Sequence, residues 1–338
     1  MRIGLKDLAA RLELDVSTVS RALRSDPRVR RETTERVQRL ARDLDYRPSL
    51  AARALKGGRT NRVAVLLSAP QQRFASPIFL ELLATLDRRL RERGMSLTVF
   101  SARDVEDEQR IVRSIVEDRL ADGLVLGRTR ADDARVRYLL DRGLPFVTFG
   151  RTAHADAHPW VEIDYGLAGE LAVEALLEAR DAPVRIVAAP EGLRFADAYC
   201  AGAEDAARRL TGRAPQIERV PLSEAGGYEA ARRFAPDDRP AVACIQDLVA
   251  FGVYRHAAEN GRRVGRDLTV FGGQNFPGSE HAAPPLSTFS TEDERVAEAL
   301  SSLILARLDG TGAAEAECLT ISPRAVLRGS HKMTASEV

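Results

Sequence analysis

Apolar side chains recur at helical spacing in three runs within residues 1–46. The runs are Leu5, Leu8, Ala9 and Leu12, then Val16, Val19, Ala22 and Leu23, then Val37, Leu40, Ala41 and Leu44. Residues three and four apart share one face of a helix, so each run predicts a short amphipathic helix. Asp15 stands directly before the second run, where a carboxylate can accept from the exposed amides of a first turn. The pattern predicts a unit of three short helices.

From residue 62 onward, short apolar runs alternate with longer helical patterns. The predicted strands form two sets, 63–68, 97–101, 123–127 and 146–149, then 184–188, 216–222, 241–246 and 268–271. Continuous apolar strands separated by helices are typical of parallel sheets covered on both faces, so the two sets predict two α/β lobes. Two later runs, 286–291 and 318–327, are expected to return to the first lobe and make it discontinuous.

Composition excludes several classes of protein. No apolar stretch approaches the roughly 18 residues of a membrane span, and a charge follows the first methionine, so we expect neither a membrane helix nor a signal peptide. Cys200, Cys244 and Cys318 form no Cys-x-x-Cys pair, which favours a reducing cytoplasmic setting over a disulfide framework.

His154 and His158 lie in a proline-containing segment with no third ligand in sequence, so no metal is expected. No phosphate-binding glycine loop is present, and no cofactor is expected.

The formal charge of +1 conceals an asymmetry between the two ends of the chain. Residues 1–60 hold 15 Lys and Arg against 8 Asp and Glu, a net charge of +7, while the remaining residues carry −6. Basic clustering of this kind predicts a polyanionic partner such as nucleic acid, with a solvated basic face as the alternative.

Three segments of the basic head carry a resemblance to a known family. In order and spacing, residues 5–12, 16–23 and 46–55 are similar to the helix-turn-helix headpiece and hinge of the lactose/purine repressor (LacI/GalR) family. The resemblance implies that the second helix enters the major groove of operator DNA and that hinge helices of a homodimer enter the minor groove. The DNA-binding residues it implies are Val16, Ser17, Thr18, Ser20, Arg21, Tyr46, Ala52 and Leu55.

The chemistry of these side chains gives them different expected roles. Val16 and Ser17 at the helix start are placed to reach base edges, and Arg21 can donate two hydrogen bonds to a guanine. The hydroxyls of Thr18 and Ser20 suit phosphates, which set register without reading sequence. Leu55 occupies the position of the family's leucine that wedges between base steps. The alternative for Arg21 is a solvated surface arginine.

The larger part of the chain resembles the effector domain of the same family, itself similar to periplasmic sugar-binding proteins. Asp164, Gly169, Gly202 and the segments 227–231, 246–252, 284–288 and 327–330 stand in family order. The family usually has Asn at 246, Asp at 274 and Arg at 199, where this chain has Gln246, Gln274 and Tyr199. A glutamine both donates and accepts while a carboxylate only accepts, so a different ligand geometry is expected.

Ligands of open parallel sheets bind beyond the carboxyl ends of the strands, which nominates loop residues that face the predicted cleft. The candidate effector-binding residues are Phe79, Arg103, Arg151, Arg194, Asp197, Leu222, Gln246, Asp247 and Gln274. Sugars are held by planar polar side chains and an aromatic face, which Phe79, Trp160 or Phe276 could supply. A core position is the alternative for each aromatic residue, and a solvated loop position is the alternative for Arg151 and Arg194.

These inferences together predict an all-α helix-turn-helix headpiece joined to a periplasmic-binding-protein-like α/β domain of two parallel-sheet lobes. The expected boundaries are a headpiece at 1–48, a hinge helix and linker at 49–60, an effector-binding and dimerisation domain at 61–330, and a tail at 331–338. Within the domain, the first lobe is expected at about 61–161 and 290–328, and the second at about 162–289.

The expected function is that of a cytoplasmic, sequence-specific transcriptional regulator, a repressor that binds a near-palindromic double-stranded operator as a homodimer. A small carbohydrate-like effector would control its affinity for DNA. A solute-binding protein is the rival interpretation, although it has no use for residues 1–60. A sugar-modifying enzyme would need a carboxylate pair that the sequence does not identify. The identity of the effector, and whether it weakens or strengthens DNA binding, stay open at this point.

Overall fold

The computed structural model describes residues 5–23, 25–44, 59–67, 77–178, 181–235, 238–310 and 318–333. By its internal contacts the chain divides into two compact units, Met1–Thr60 and Asn61–Val338. In the part of the chain that is described, none of the helices has the length and apolar character needed to cross a membrane.

The first unit contains the three predicted helices. They are α1 (Leu5–Leu12), α2 (Val16–Ala22) and α3 (Arg31–Asp43). Most of the apolar positions that predicted them form their common core, whose buried side chains are Leu8, Ala9, Leu12, Val19, Ala22, Val37 and Ala41, whereas Val16 is exposed. The helical spacing therefore identified the packed face of each helix correctly.

The second unit begins with a six-stranded parallel sheet. Its strands are β1 (Arg62–Leu67), β2 (Ser96–Ser101), β3 (Gly123–Leu126), β4 (Phe146–Phe149), β5 (Trp160–Ile163) and, late in the chain, β11 (Cys318–Ile321), in the spatial order β11-β5-β4-β3-β1-β2. Its helices are α4 (Pro77–Glu92), α5 (Val105–Glu117), α6 (Ala134–Arg142) and α11 (Asp293–Asp309).

Helices cover both faces of this sheet. Alternate residues of a strand point to opposite faces. Val63 and Val65 of β1 pack in the cluster that contains apolar residues of α4 and α11, whereas Ala64 and Leu66 pack with α5 and α6. Because both faces are covered, residues 63–67 are all buried, which explains why the strand has a continuous apolar sequence rather than an alternating one.

A second parallel sheet of four strands forms the other lobe. Its strands are β6 (Val184–Ala188), β7 (Gln216–Arg219), β8 (Ala241–Cys244) and β9 (Thr269–Phe271), in the order β7-β6-β8-β9. Its helices are α7 (Tyr165–Glu178), α8 (Arg194–Thr211), α9 (Glu224–Ala231) and α10 (Asp247–Glu259). Helices α7 and α8 pack at very short range because Gly169 and Gly202 lie in their contact. A Cβ at either glycine would lie about 2 Å from a carbonyl oxygen of the facing helix.

The end of the chain follows a different path from the one the sequence predicted. Only β11 joins the first sheet; β10 (Thr288–Ser290) and β12 (Arg324–Val326) pair with each other in an antiparallel two-stranded sheet. A bridge between Phe271 and Ser287 and a hydrogen bond from the Val270 N–H to the Ser330 carbonyl tie this small sheet to β9. The expectation that 286–291 and 318–327 return to the first lobe was therefore right for 318–321 and wrong for β10 and β12, which pair with each other beside β9.

Strand β5 was also not predicted from the sequence. Its four residues follow directly on Pro159, and Glu162 interrupts the apolar run, so no strand pattern stood out. Pairing with β4 and β11 supplies the backbone partners that make this segment a strand. The missed strand matters because the residues at its carboxyl end lie at the ligand cavity described below.

Candidate functional site

Helix α2 presents two different faces. Val19 and Ala22 are buried in the core of the unit, whereas Val16, Ser17 and Arg21 are exposed. A helix fits the major groove of B-DNA, and residues near its N-terminus reach the base edges. The exposed face of α2 therefore carries the small, hydroxyl and guanidinium groups that a base contact can use, on a helix whose other face is fixed by packing.

Asp15 fixes the start of α2. Its carboxylate accepts a hydrogen bond from the backbone N–H of Ser17 at 2.7 Å. Hydrogen bonding with Ser17 holds the pKa of Asp15 below its usual value, so the cap is ionised at neutral pH. Thr18 and Ser20 are half-buried beside the exposed face, where their hydroxyls border any surface that α2 contacts.

Helix α3 holds the ends of both preceding helices. Its Arg36 donates to the Leu12 carbonyl at the end of α1 at 2.7 Å, and its Gln38 donates to the Ser25 hydroxyl, just beyond α2, at 3.0 Å. These bonds hold the turn and the second helix in place although the core of the unit is small. Tyr46, Ala52 and Leu55 lie outside the described residues, so their assignment to DNA binding stays a prediction.

In the second unit, a cavity of about 180 Å³ lies between the two sheets, at the carboxyl ends of their strands. The first lobe and the segment leaving β5 contribute Phe79, Arg128, Thr129, Phe149, Gly150, Arg151, Glu162, Ile163 and Asp164. The second lobe contributes Tyr165, Gly166, Arg194, Phe195, Ala198, Leu222, Gln246, Leu248, Gln274 and Phe276. An apolar cleft with a few convergent polar groups is the usual form of a small-molecule site.

A chain of neutral polar side chains forms one wall of the cavity. The Gln246 amide donates to the Gln274 side-chain carbonyl at 3.0 Å, and the Gln274 amide donates to the Tyr165 hydroxyl at 2.8 Å. Amides have both donors and acceptors, so this wall can bond hydroxyl groups in either sense. Tyr165 also packs against Phe195, with ring centroids 5.2 Å apart, which places an aromatic surface beside the polar chain.

Charged side chains line another part of the cavity. The Arg151 Nε lies 2.6 Å from a Glu162 carboxylate oxygen, and the Arg151 guanidinium lies 5.1 Å from the centre of the Trp160 ring. Burial raises the pKa of Glu162 despite this pairing. Asp164 accepts from the Leu167 N–H at 3.0 Å and so caps α7. Burial lowers the pKa of Arg128, although a guanidinium stays charged at physiological pH.

Beneath the cavity, Asp247 anchors the loop that follows β9. It is fully buried and accepts from the Phe276 N–H at 2.7 Å, the Ser279 hydroxyl at 2.5 Å and the Thr288 hydroxyl at 2.7 Å. Burial raises its pKa to about 6. Because the same loop carries Gln274, Asp247 positions the cavity wall without lining it.

Six of the nine candidate effector-binding residues line the cavity and three do not. Those in the lining are Phe79, Arg151, Arg194, Leu222, Gln246 and Gln274. Arg103 instead pairs with Asp107 in the first turn of α5, and Asp197 accepts from the Gly192 N–H and pairs with Arg219. Of the three aromatic candidates, Phe79 and Phe276 line the cavity, whereas Trp160 is buried in β5 behind Arg151.

Five cavity residues that follow β3 or lie at the end of β5 were not predicted from the sequence. Arg128 and Thr129 follow β3, and Glu162, Asp164 and Tyr165 lie at the end of β5 and the start of α7. The rule that ligands bind beyond the carboxyl ends of strands would have nominated all five if β5 had been identified and the loop after β3 included.

Two other positions singled out in the sequence lie away from the cavity. Tyr199, at the position where the family usually has an arginine, is fully buried and packs against Phe289, so it does not reach the cavity. His158 is buried, contacts the Thr152 hydroxyl and the Pro159 carbonyl, and packs on the Phe146 ring.

Comparison with protein-family models assigns both parts of the chain. Residues 4–49 match the model of bacterial regulatory proteins of the lacI family, and residues 173–331 match that of the periplasmic binding protein-like domain. The chain belongs to the LacI family. This confirms the resemblance inferred from residues 5–12, 16–23 and 46–55 and from the body of the chain.

Curated relatives align over nearly the whole LacI-family chain. The HTH-type transcriptional regulator CelR of Thermobifida fusca is 27% identical over 320 residues, which are 91% of this chain and 93% of the relative. The HTH-type transcriptional repressor PurR of Klebsiella pneumoniae (strain 342) is 25% identical over 332 residues, 96% of each protein. This chain is accordingly a DNA-binding transcriptional regulator and not an enzyme.

Solved structures agree with this fold over the same length. A CelR–cellobiose complex superposes with a TM-score of 0.73 at 25% identity and covers 97% of this chain and 100% of its own. The lac repressor dimer bound to operator and the anti-inducer ONPF superposes with a TM-score of 0.80 at 22% identity, over 98% of this chain and 100% of its own. The helix-turn-helix head and the two-lobed α/β domain predicted from the sequence are therefore confirmed.

Proposed function

We propose that this LacI-family regulator is a cytoplasmic repressor that binds a near-palindromic operator as a homodimer and responds to a small carbohydrate-like effector in the cavity between its lobes. The observation that carries the proposal is the presence, on one chain, of an exposed recognition face on α2 and a cavity walled by both lobes. Two similar structures support the two parts of the proposal. CelR was solved as a complex with cellobiose, and the lac repressor dimer was solved bound to operator.

The chemistry of α2 supports specific DNA recognition. Val16 and Ser17 are proposed to contact base edges, Arg21 to read a guanine, and Thr18 and Ser20 to bind phosphates. A single short recognition helix offers few base contacts, so two copies about one helical turn of DNA apart are needed for useful specificity. Residues 1–48 are proposed as the headpiece and 49–60 as the hinge, with Tyr46, Ala52 and Leu55 completing the DNA contacts.

The position of the cavity supports control by an effector. An effector that contacts both lobes stabilises the arrangement of the lobes that it fits best. If that arrangement differs from the one that favours operator binding, the two binding events are coupled. A coupling free energy of about 1 to 3 kcal/mol changes operator affinity by about 5- to 150-fold. Residues 61–330 are proposed as the domain that binds the effector and forms the dimer.

The test is selection of duplex DNA by the full-length protein from a random pool, followed by affinity measurements on the enriched sequence. We expect a near-palindrome, bound with an affinity that falls steeply as salt rises, by roughly one power of salt concentration for each neutralised phosphate. Arg21→Ala should relax base preference at one position in each half-site and cost about 1 to 3 kcal/mol there.

The matched control is Arg31→Ala, since Arg31 is an exposed arginine of the same unit that pairs with Glu35 on α3. It should leave base preference unchanged. Failure to enrich any sequence would contradict the proposal, and uniform weakening of Arg21→Ala on all sequences would place Arg21 on phosphate.

A further inference from the structure

We propose that the effector of this protein is a neutral glycoside with an aromatic aglycone, whose sugar is bound by Gln246 and Gln274 and whose aromatic ring packs among Leu222, Phe195 and Phe79. The inference rests on the proposed effector role of the cavity and narrows it to one chemical class. It is carried by the way in which aromatic, aliphatic and polar side chains are distributed along the carboxyl ends of the two sheets.

The lining of the cavity is rich in aromatic side chains. The chain has 11 Phe, six Tyr and one Trp, and five of these, Phe79, Phe149, Tyr165, Phe195 and Phe276, are among the 19 described residues of the lining. A sugar ring has only two faces on which an aromatic side chain can pack. The lining therefore offers more aromatic surface than one sugar ring can cover, which favours a ligand with a further apolar part.

The wall formed by the second lobe changes from apolar to polar along its sheet. In the strand order β7-β6-β8-β9, Leu222 follows β7 at one edge, and Phe195 lies in the first turn of α8, which follows β6. Gln246 follows β8, and Gln274 follows β9 at the other edge. Neighbouring strands are about 4.8 Å apart, so the ends of β7 and β9 are separated by roughly 14 Å. A ligand that spans this wall meets an apolar part and a polar part.

The first lobe adds an aromatic ring at the apolar part. The backbone N–H of Arg194, the first residue of α8, donates to the Thr129 carbonyl at 3.2 Å, so the loop after β3 lies against the start of α8. The Phe79 ring reaches the end of β3, since a Cβ on Gly127 would lie 3.6 Å from it. Phe79 and Phe195 therefore approach the junction of the lobes from opposite sides, where a planar ring can pack against both.

Tyr165 connects the polar and the apolar parts of the wall. Its hydroxyl accepts from the Gln274 amide at 2.8 Å, and its ring packs against Phe195 with ring centroids 5.2 Å apart. Gln246 and Gln274 carry both donors and acceptors for sugar hydroxyls, and Phe276, two residues beyond Gln274, supplies an aromatic side chain for a sugar face. A glycosidic bond near Tyr165 would place the sugar on the glutamines and the aglycone among the apolar side chains.

The charged residues of the lining do not require a charged effector. Glu162 pairs with Arg151 at 2.6 Å, and the charge of Arg194 also acts on Glu162. Arg128 lies in the field of the buried carboxylate of Glu108. Each arginine in the described part of the lining therefore has an acid near it, which suits a neutral molecule.

The experiment is calorimetric titration of the full-length protein with matched pairs of glycosides. The pairs are the phenyl and methyl glycosides of β-D-glucose, α-D-glucose, β-D-galactose and β-D-xylose, and phenol represents the aglycone alone. We expect at least one phenyl glycoside to bind about 10- to 100-fold more tightly than its methyl partner, because its ring buries additional apolar surface. It should also bind more tightly than phenol and change the affinity of the protein for its selected operator.

Leu222→Ala tests the position of the aglycone, because it removes apolar surface at the end of β7. It should weaken binding of the phenyl glycoside by about 5- to 20-fold and leave binding of the methyl partner within a factor of about two. Phe79→Leu, which replaces a half-buried aromatic ring by an aliphatic side chain, should act in the same direction. Gln246→Leu should weaken both members of a pair alike, because it removes hydrogen bonds to the sugar that they share.

The matched control is Leu210→Ala, which removes an exposed leucine near the end of α8, away from the cavity. It should change neither affinity. The melting temperature of each variant shows whether the domain has kept its fold.

Equal or tighter binding of the methyl glycosides overturns the inference, as does the failure of every phenyl glycoside to bind, or phenol binding as tightly as the glycoside. An equal effect of Leu222→Ala and Phe79→Leu on both members of a pair, or an unchanged affinity for operator, also overturns it. Operator selection by the unliganded protein is measured separately, so none of these results touches the DNA-binding part of the proposed function. Tight binding of methyl glycosides without preference for the phenyl partner would contradict this inference and leave the proposed sugar effector in place.

Discussion

The two units of this LacI-family chain assemble their functional residues over very different distances in sequence. In the head, Val16, Ser17 and Arg21 all lie on one seven-residue helix. In the effector domain, the cavity takes side chains from Phe79 to Phe276, at the ends of strands from two separate sheets. A helix alone arranges the first site, whereas the second exists only after both sheets have formed.

This difference determines how each site can fail. The head has a small core, which consists among its described residues of seven buried apolar side chains, so loss of one of them removes a large share of its stability. The effector domain has a far larger core, so we expect it to keep its fold when a wall residue changes. Substitutions should therefore separate DNA binding from effector binding, and the largest effect is expected from the loss of a core residue of the head.

The largest effect is expected from Val19→Asp. Val19 is fully buried in the core of the head, and an aspartate there would place a carboxylate among apolar side chains at a cost of about 4 kcal/mol or more. We expect the head to unfold and operator binding to disappear, while the effector still raises the melting temperature of the larger domain. Scanning calorimetry with and without effector measures both.

The matched control for Val19→Asp is Val99→Asp, the same exchange at an exposed position of β2 (42% exposed). It should leave both domains folded and both ligands bound. Loss of effector binding in Val19→Asp would contradict the independence of the two units.

An intermediate effect is expected from Asp247→Ala in the effector domain. The change removes the acceptor of the Phe276, Ser279 and Thr288 donors and should lower the free energy of unfolding of this domain by about 3 kcal/mol. Effector binding should weaken because Gln274 lies on the loop that these bonds hold, while the head should still bind DNA. Urea unfolding and calorimetric titration test this, with exposed Glu280→Ala on the same loop as control.

The titration of Asp247 should make the free energy of unfolding of the effector domain depend on pH. Its pKa in the folded domain is about 6, above the usual value of 3.8, so the folded chain holds the proton more tightly than the unfolded chain. The stability contributed by this group therefore falls as pH rises from about 4 to about 6 and changes little above that. Asp247→Asn should lack this component, so the difference in unfolding free energy between wild type and variant should fall over the same pH range. A constant difference would contradict the assignment.

The smallest effect is expected from Asp15→Ala in the head. The change removes the cap at the start of α2 and should lower the melting temperature of the head by about 5 °C, with a modest loss of operator affinity and no change in effector binding. Asp43→Ala is the control, since it removes an equal charge from the exposed end of α3, where a negative charge is unfavourable. Equal destabilisation by both variants would show that charge rather than capping is responsible.

Sequence reasoning was most successful where a local pattern was sufficient. Helical spacing located α1, α2 and α3 and their buried faces, and apolar runs located nine of the twelve strands in the described part of the chain closely enough to predict two parallel sheets. It failed at β5, whose apolar run is broken by Glu162, and at β10 and β12, whose partners are each other. Strand partners separated by 30 residues or more leave no local pattern, so the pairing of β10 with β12 could not be inferred.

The sequence by itself determined the three helices of the head and the polar face of α2, because helix periodicity, capping and charge act between neighbours in the chain. Its resemblance to the LacI family indicated the rest. Only the tertiary structure decided that Arg128, Glu162 and Tyr165 join Arg194 and Gln274 around one cavity, and that Asp247 lies beneath it while Arg103 pairs elsewhere. The physical reason is that these side chains are brought together by the order of parallel strands and by the crossing of the chain between two lobes. Both are set by packing and backbone pairing across the whole domain.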